Sequence, residues 1–238
     1  MFDFEIHSVN SADVNAKDSS TEGAGVRAVS TSDKTATPIA RLILAHGAGA
    51  GKHHDFMQAM ASQLTSQNIE VVLFNFPYMQ TMMETGKRRP PDKAEKLLAH
   101  FNALINEVAN TQASVPTFIG GKSMGGRMAT MLLDDAESII GAIAFGYPFH
   151  PPGKPEKLRT AHLETLSKPL LILQGERDTF GTKDEVSAYS LSSAIAVSYL
   201  ADGDHSFKPR KQSGFTLETH IECAAKSTAD FIKARVNT

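Results

Sequence analysis

Ser123, Asp178 and His205 have the types and settings that nucleophilic acyl chemistry needs. A serine hydroxyl is a weak nucleophile, and it attacks a carbonyl only when an imidazole takes its proton and a third group fixes that imidazole. Ser123 is the centre of Gly121-Lys122-Ser123-Met124-Gly125, which reads as G-x-S-x-G. In that motif the serine sits on a sharp turn between a strand and a helix, the nucleophile elbow. Its backbone is strained there, and a side chain at Gly121 or Gly125 would collide with the neighbouring strand or helix. So short a motif recurs by chance, and only its context gives it weight. Here Val115, Phe118 and Ile119 suit a buried strand before it, and Met128, Ala129, Met131, Leu132 and Leu133 give the segment after it a helical apolar face.

The base and the acid are sought downstream, because the motif's template runs serine, acid, histidine. Asp178 follows the apolar run at 170–173 by way of Gln174-Gly175-Glu176-Arg177, and His205 follows the run at 196–200 by way of Ala201-Asp202-Gly203-Asp204. Among nine histidines, His205 alone follows the final strand in a loop rich in Gly and Asp. Glu176, Asp202 and Asp204 compete for the role of acid. Asp202 and Asp204 sit too near His205 in sequence to orient its far nitrogen easily, and the template's chain order favours Asp178. The oxyanion of a tetrahedral intermediate needs preorganised donors, each typically worth ~3–4 kcal/mol. One is expected to be the backbone N–H of Met124, and the other that of Ala48, in the loop His46-Gly47-Ala48-Gly49-Ala50-Gly51. The plainer reading of that loop is a glycine turn that only joins strand to helix.

These residues require a scaffold that brings strand ends together. Short runs apolar on both faces, at 42–45, 69–74, 115–120, 142–145, 170–173 and 196–200, alternate with helical stripes. The stripes are Phe56, Met57, Met60, Ala61 and Leu64, then Ala94, Leu97, Leu98, Phe101, Leu104, Ile105 and Val108, and finally Ile221, Ala224, Ala225, Thr228, Phe231 and Ile232. Such alternation predicts a parallel sheet covered on both sides, with its ligand at the carboxyl ends of the strands. Every candidate residue falls at such an end. The first 38 residues say less: Phe2, Phe4 and Ile6 alternate with Asp3, Glu5 and His7 as in a half-buried strand, with 26–29 as its hairpin partner across a polar loop. The connection at 148–167 holds four prolines and is too short for a substantial cap.

At 238 residues the chain suits a single α/β domain, with a core at 39–238 and an N-terminal extension at 1–38. A net charge of −2 argues against general binding to nucleic acid or a membrane surface. One cysteine, Cys223, leaves no internal disulfide and fits a reducing cytoplasm. No apolar run approaches the ~20 residues of a membrane span. Gly51-Lys52 and Gly121-Lys122-Ser123 lack the remaining P-loop positions, and Gly47, Gly49 and Gly51 are not spaced as G-x-G-x-x-G, so neither ATP nor a dinucleotide is expected. His46, His53 and His54 lack metal-ligand spacing, and no metal or other cofactor is expected.

The motifs His46-Gly-Ala-Gly-Ala-Gly51, Phe74-Asn-Phe-Pro-Tyr78, Gly121-Lys-Ser-Met-Gly-Gly-Arg127, Gly146-Tyr-Pro-Phe-His-Pro-Pro-Gly153, Gly175-Glu-Arg-Asp178 and Asp202-Gly-Asp-His205 together resemble the α/β-hydrolase superfamily over residues 39–238. More narrowly, the chain resembles the group that contains a testis-expressed vertebrate protein and a subunit of the non-specific-lethal histone acetyltransferase complex, with many bacterial members. The resemblance implies an α/β-hydrolase fold, with a mostly parallel sheet between helices, and a Ser123-Asp178-His205 triad acting on a small-molecule ester, thioester or related acyl bond. It does not choose a substrate, since the superfamily hosts many activities and also non-catalytic members. A binding or scaffold protein that kept the hydrolase shell is the alternative. Basic residues expected at the active face, Lys52, Lys122, Arg127, Arg159, Lys208, Arg210 and Lys211, with Lys87, Arg88 and Arg89 on another connection, have two readings. Either they are solvated or paired with carboxylates such as Asp55 and Asp92, or part of the cluster favours an anionic substrate.

Overall fold

The computed structural model describes residues 2–8, 37–111 and 115–236. Seven strands are formed: β1 (Phe4–His7), β2 (Ala40–Ala45), β3 (Ile69–Phe74), β4 (Thr117–Lys122), β5 (Ile139–Phe145), β6 (Leu170–Gly175) and β7 (Ile195–Leu200). They make one sheet in the order β1-β3-β2-β4-β5-β6-β7. All neighbours pair in parallel except β1, which runs antiparallel to β3. Successive strand residues point to opposite faces, so each apolar run feeds two cores. Leu42, Leu44, Val71, Leu73, Phe118 and Phe145 pack with helices α1 (Asp55–Thr65) and α6 (Leu217–Val236). Ile43, Val72, Phe74, Ile119, Ala144 and Ile172 pack with α2 (Pro77–Thr85), α3 (Ala94–Thr111) and α4 (Met124–Leu132).

The chain builds β2 and β3 in one direction, then returns to lay β4 on the other side of β2. At such a reversal the loops leaving neighbouring strands diverge and open a crevice above their carboxyl ends. The loop after β2 and the turn after β4 flank that crevice. The connection from β5 to β6 contains only a 3₁₀ turn at Ala161–Leu163, so it supplies no helical cap.

Two short helices escape the apolar pattern. In α2, Pro77 occupies the first turn and Gly86 ends it with φ 67°. Helix α5 (Lys183–Ser187) is held by a capping box between Thr182 and Glu185. The N-terminal strand also differs from its alternation. Phe4 and Ile6 are exposed at 37% and 46%, whereas Glu5 and His7 are the half-buried pair. On that side Glu5 lies 3.3 Å from His7 and 3.7 Å from His53, at a sheet edge. Its expected hairpin partner at 26–29 lies outside the described residues. Among the described residues no helix is long and apolar enough to cross a membrane.

Candidate active site

Ser123 occupies the one-residue link between β4 and α4, with φ 52° and ψ −114°. A non-glycine residue with positive φ is strained and persists only where its surroundings over-determine it. Two glycines do that here. A Cβ on Gly121 would lie 2.3 Å from the Gly125 carbonyl carbon, and one on Gly125 would lie 2.4 Å from the Ala45 oxygen. Helix α4 can therefore press against β2 and β4 and force the turn. The Ser123 N–H donates to the Phe145 carbonyl at 2.9 Å, which pins the turn to β5.

Three expected side chains meet at this turn. Ser123 Oγ lies 2.8 Å from His205 Nε2, and His205 Nδ1 lies 2.8 Å from Asp178 Oδ2. Because a carboxylate only accepts, Nδ1 carries the proton toward Asp178 and Nε2 is left to accept from the serine. Asp178 is fully buried. Its Oδ1 accepts from the Phe180 N–H at 2.8 Å, and its Oδ2 also accepts from Gln174 Nε2 at 2.9 Å. The imidazole stacks on Phe180 with ring centroids 4.1 Å apart. Burial pushes the His205 pKa below its ordinary 6.5; the hydrogen bond that its Nδ1–H donates to Asp178 opposes that push, and the Lys122 cation adds to it.

The competing acids are occupied elsewhere. Glu176 accepts from Lys183 at 2.9 Å and from the Asp202 N–H at 3.0 Å, while Asp202 pairs with Arg177 and Arg210. Asp204 Oδ1 accepts from the N–H groups of Ser206 and Lys208 at 2.8 and 2.9 Å, shaping the turn that carries His205. From α6, the buried His220 reaches across and donates Nδ1–H to the Phe207 carbonyl at 2.7 Å.

The loop after β2 is organised by two residues whose part sequence reasoning missed. His46, fully buried, donates Nδ1–H to the Gly47 carbonyl at 2.7 Å and accepts the Phe76 N–H on Nε2 at 3.1 Å. Burial holds it neutral, with its pKa lowered to about 4. The hydroxyl of Tyr78 in α2 donates to the Ala48 carbonyl at 3.0 Å and approaches that of Gly47 at 3.3 Å. A trans peptide sets its N–H opposite its C=O, so binding the Gly47 carbonyl on one side turns the Ala48 N–H to the other. Among the described residues neither the Ala48 nor the Met124 N–H is spent on a protein acceptor. Tyr78 stands in the sequence only as the end of the Phe74–Tyr78 motif, with no role attached, because its helix was not expected.

Gln174 was also missed, and so was the enclosure of Lys122. Gln174 is fully buried; it accepts the Tyr147 N–H at 2.8 Å and donates to Asp178 and to the carbonyls of Tyr147 and Gly181. Lys122 stands out as a basic residue in sequence, but its Nζ is enclosed rather than solvated. It donates to the His205 carbonyl and lies 5.6 and 5.4 Å from the Phe56 and Phe207 ring centroids. Burial lowers its pKa to about 8, against the pull of Asp178 and Asp204.

Other basic residues expected at this face or on the neighbouring 87–89 connection are committed elsewhere or simply exposed. Lys52 is buried against Asp3, Arg210 pairs with Asp202, and Arg89 pairs with Asp92. Lys87, Arg88, Lys208 and Lys211 are surface side chains. A cavity of about 800 Å³ opens over Ser123 and His205, between the Gly47–Ala50 loop and the starts of α1 and α6. Among the described residues no three His, Cys, Asp or Glu side chains converge as metal ligands do.

This arrangement can present a serine oxygen to a carbonyl, remove its proton, and offer two free N–H groups nearby. Known proteins share its scaffold. The ferulic-acid complex of Est1E from Butyrivibrio proteoclasticus matches with a TM-score of 0.66 at 12% identity, covering 100% of this chain and 96% of that one. An α/β serine hydrolase without lid from Xanthomonas campestris matches with a TM-score of 0.61 at 16% identity, covering 85% and 83%. An alpha-beta serine hydrolase homologue from Coxiella burnetii matches with a TM-score of 0.61 at 15% identity, covering 84% and 86%. Identities this low establish a common fold. No protein with a curated description matches the chain in sequence. The family model described as an alpha/beta hydrolase domain matches residues 38–233, and with the sheet order and elbow geometry this makes the chain a member of the α/β-hydrolase family.

Proposed function

We propose that the protein is a serine hydrolase that cleaves a small ester, thioester or related acyl bond through an acyl-enzyme on Ser123. The observation that carries this reading is the continuous relay from Ser123 Oγ through His205 to the buried Asp178, with both hydrogen bonds at 2.8 Å, beneath an open cavity. A scaffold has no use for a strained serine aligned on a neutral imidazole.

In the first half-reaction Ser123 Oγ bonds to the substrate carbonyl carbon while its proton passes to His205 Nε2. The carbonyl π electrons move onto oxygen, and the N–H groups of Ala48 and Met124 receive that oxyanion. Asp178 holds the imidazole and stabilises the imidazolium without taking the proton. Collapse expels the alcohol or thiol, which leaves with the proton from Nε2. Water then repeats the sequence on the acyl-enzyme, releasing the acid and restoring Ser123.

Within the family, we propose kinship with the group that holds the testis-expressed protein and the non-specific-lethal complex subunit, a reading supported by the resemblance of the motifs from His46 to His205. We place the protein in the cytoplasm, where its single cysteine, the exposed Cys223, stays reduced. A panel of chromogenic acyl esters tests the activity. Wild-type protein is expected to turn over short- to medium-chain members, and Ser123→Ala to lose roughly 10³-fold or more. No turnover across the panel would remove the esterase reading.

A further inference from the structure

Beside α4, two arginine side chains stand in each other's field without a carboxylate partner. Arg127 lies one turn into the helix and donates its backbone N–H to the Ser123 carbonyl at 3.0 Å. Arg159 comes from the β5–β6 connection; its N–H donates to the Phe149 carbonyl at 2.7 Å, and its carbonyl accepts from the Tyr147 hydroxyl at 2.8 Å. That hydroxyl belongs to a fully buried side chain lying beside both arginines. His162 closes the group, its Nε2 2.9 Å from Thr130 Oγ1, which itself donates to the Arg127 carbonyl at 2.9 Å.

Among the described residues the arginine ion pairs belong to Arg41, Arg89, Arg177 and Arg210. Arg127 and Arg159 have none, and each stands in the other's field. The Nε of Arg127 is buried with no acceptor. A buried donor left unmade costs the group its desolvation, and like charges held together add to that cost. Elsewhere the chain answers such charges locally, as Asp202 does for Arg177 and Arg210. Here no carboxylate of the described chain does, although the Arg127 backbone is four residues, about 6 Å of helix rise, from the candidate nucleophile. The cavity on the α1 and α6 side has the opposite character: apolar, with Asp55 and Glu218 in its lining.

We propose that Arg127 and Arg159 form an anion subsite that takes a carboxylate or phosphate carried by the acyl substrate, orienting it with its apolar part in the cavity. This rests on the serine hydrolase reading for the identity of the ligand, but the site itself does not. Two forked donors suit a planar or tetrahedral oxyanion, and the acidic residues across the crevice repel an inverted substrate.

The test compares the mono-para-nitrophenyl ester of glutarate with its neutral primary-amide counterpart. At low ionic strength the ratio of kcat/KM, anionic over neutral, is expected to be about tenfold or more, and to shrink in ~0.5 M salt. Arg127→Gln and Arg159→Gln are each expected to bring the ratio toward one, with Arg127→Lys between. Turnover of both esters with a ratio near one in wild-type protein, or an unchanged ratio in both Gln variants, overturns the subsite and leaves the hydrolase intact. If neither ester turns over, calorimetric titration of glutarate decides. Saturable binding that the double Gln variant loses supports the subsite without the hydrolase, and absence of binding overturns it. Saturable binding of inorganic phosphate at these arginines without preference for the glutarate ester assigns them to a free anion, and overturns the substrate role.

Discussion

His205 carries a proton balance that can be read out directly. Burial and the Lys122 cation disfavour its imidazolium, and Asp178 favours it, with the net direction downward from 6.5. The neutral form is the one that accepts from Ser123. Activity therefore persists below pH 6.5 and fades only as falling pH protonates the ring. A kcat/KM profile whose acid limb lies at or above 6.5 would contradict that order of forces. Lys122→Met removes a cation of similar length, so the acid limb is expected to move upward. Gln174→Leu strips one donor from Asp178 and leaves the Tyr147 N–H unpaired, a loss of about 1–3 kcal/mol for each buried group. It is expected to lower kcat about tenfold and to lower the denaturation midpoint. Ser123, Asp178 and His205 were legible because each follows an apolar run in the chain order of a known template. Gln174, His46 and Tyr78 were not, since a neutral side chain shows its purpose only when folding sets its partner against it.

The elbow and the loop after β2 depend on the elements that press on them. A Cβ at Gly125 would meet backbone oxygen of both Ala45 and His46, at 2.4 and 2.6 Å, and neither can swing aside. Gly125→Ala is expected to cost about 3 kcal/mol and to abolish turnover. A variant with wild-type melting and activity would show that the close approach of α4 to β2 is not what holds the turn. Tyr78→Phe removes only the hydroxyl that orients the Ala48 peptide. If that peptide stabilises a developing oxyanion, kcat falls about tenfold with KM little changed; a change confined to KM would place the loop in ground-state binding. The helix carrying Tyr78 was hidden because Pro77 reads as a break and its apolar residues make no long stripe. The six parallel strands were plain because burial on both faces leaves unbroken apolar runs. The burial of β1 was misjudged because a four-residue alternation on an edge strand does not say which of its faces meets the core.

In the molecule as a whole, no helical cap covers the crevice among the described residues, since the β5–β6 connection forms only a 3₁₀ turn over Ala161–Leu163. Turnover of a sparingly soluble ester should rise smoothly through its solubility limit, without the jump that opening a lid produces; a sharp rise there would reveal a mobile cover. The cavity carries Asp55 and Glu218 on its α1 and α6 side, and with the proposed arginine subsite beside α4 substrate preference is expected to track where a charge sits on the acyl chain. All of this depends on Ser123 being a nucleophile in the folded protein. Incubation with a fluorophosphonate, followed by peptide mass mapping, measures that most directly. The expected result is one adduct, on Ser123, formed by wild-type protein and absent from Ser123→Ala and from heat-denatured wild type. No adduct with probes of several sizes, or equal labelling of Ser123→Ala, would contradict it.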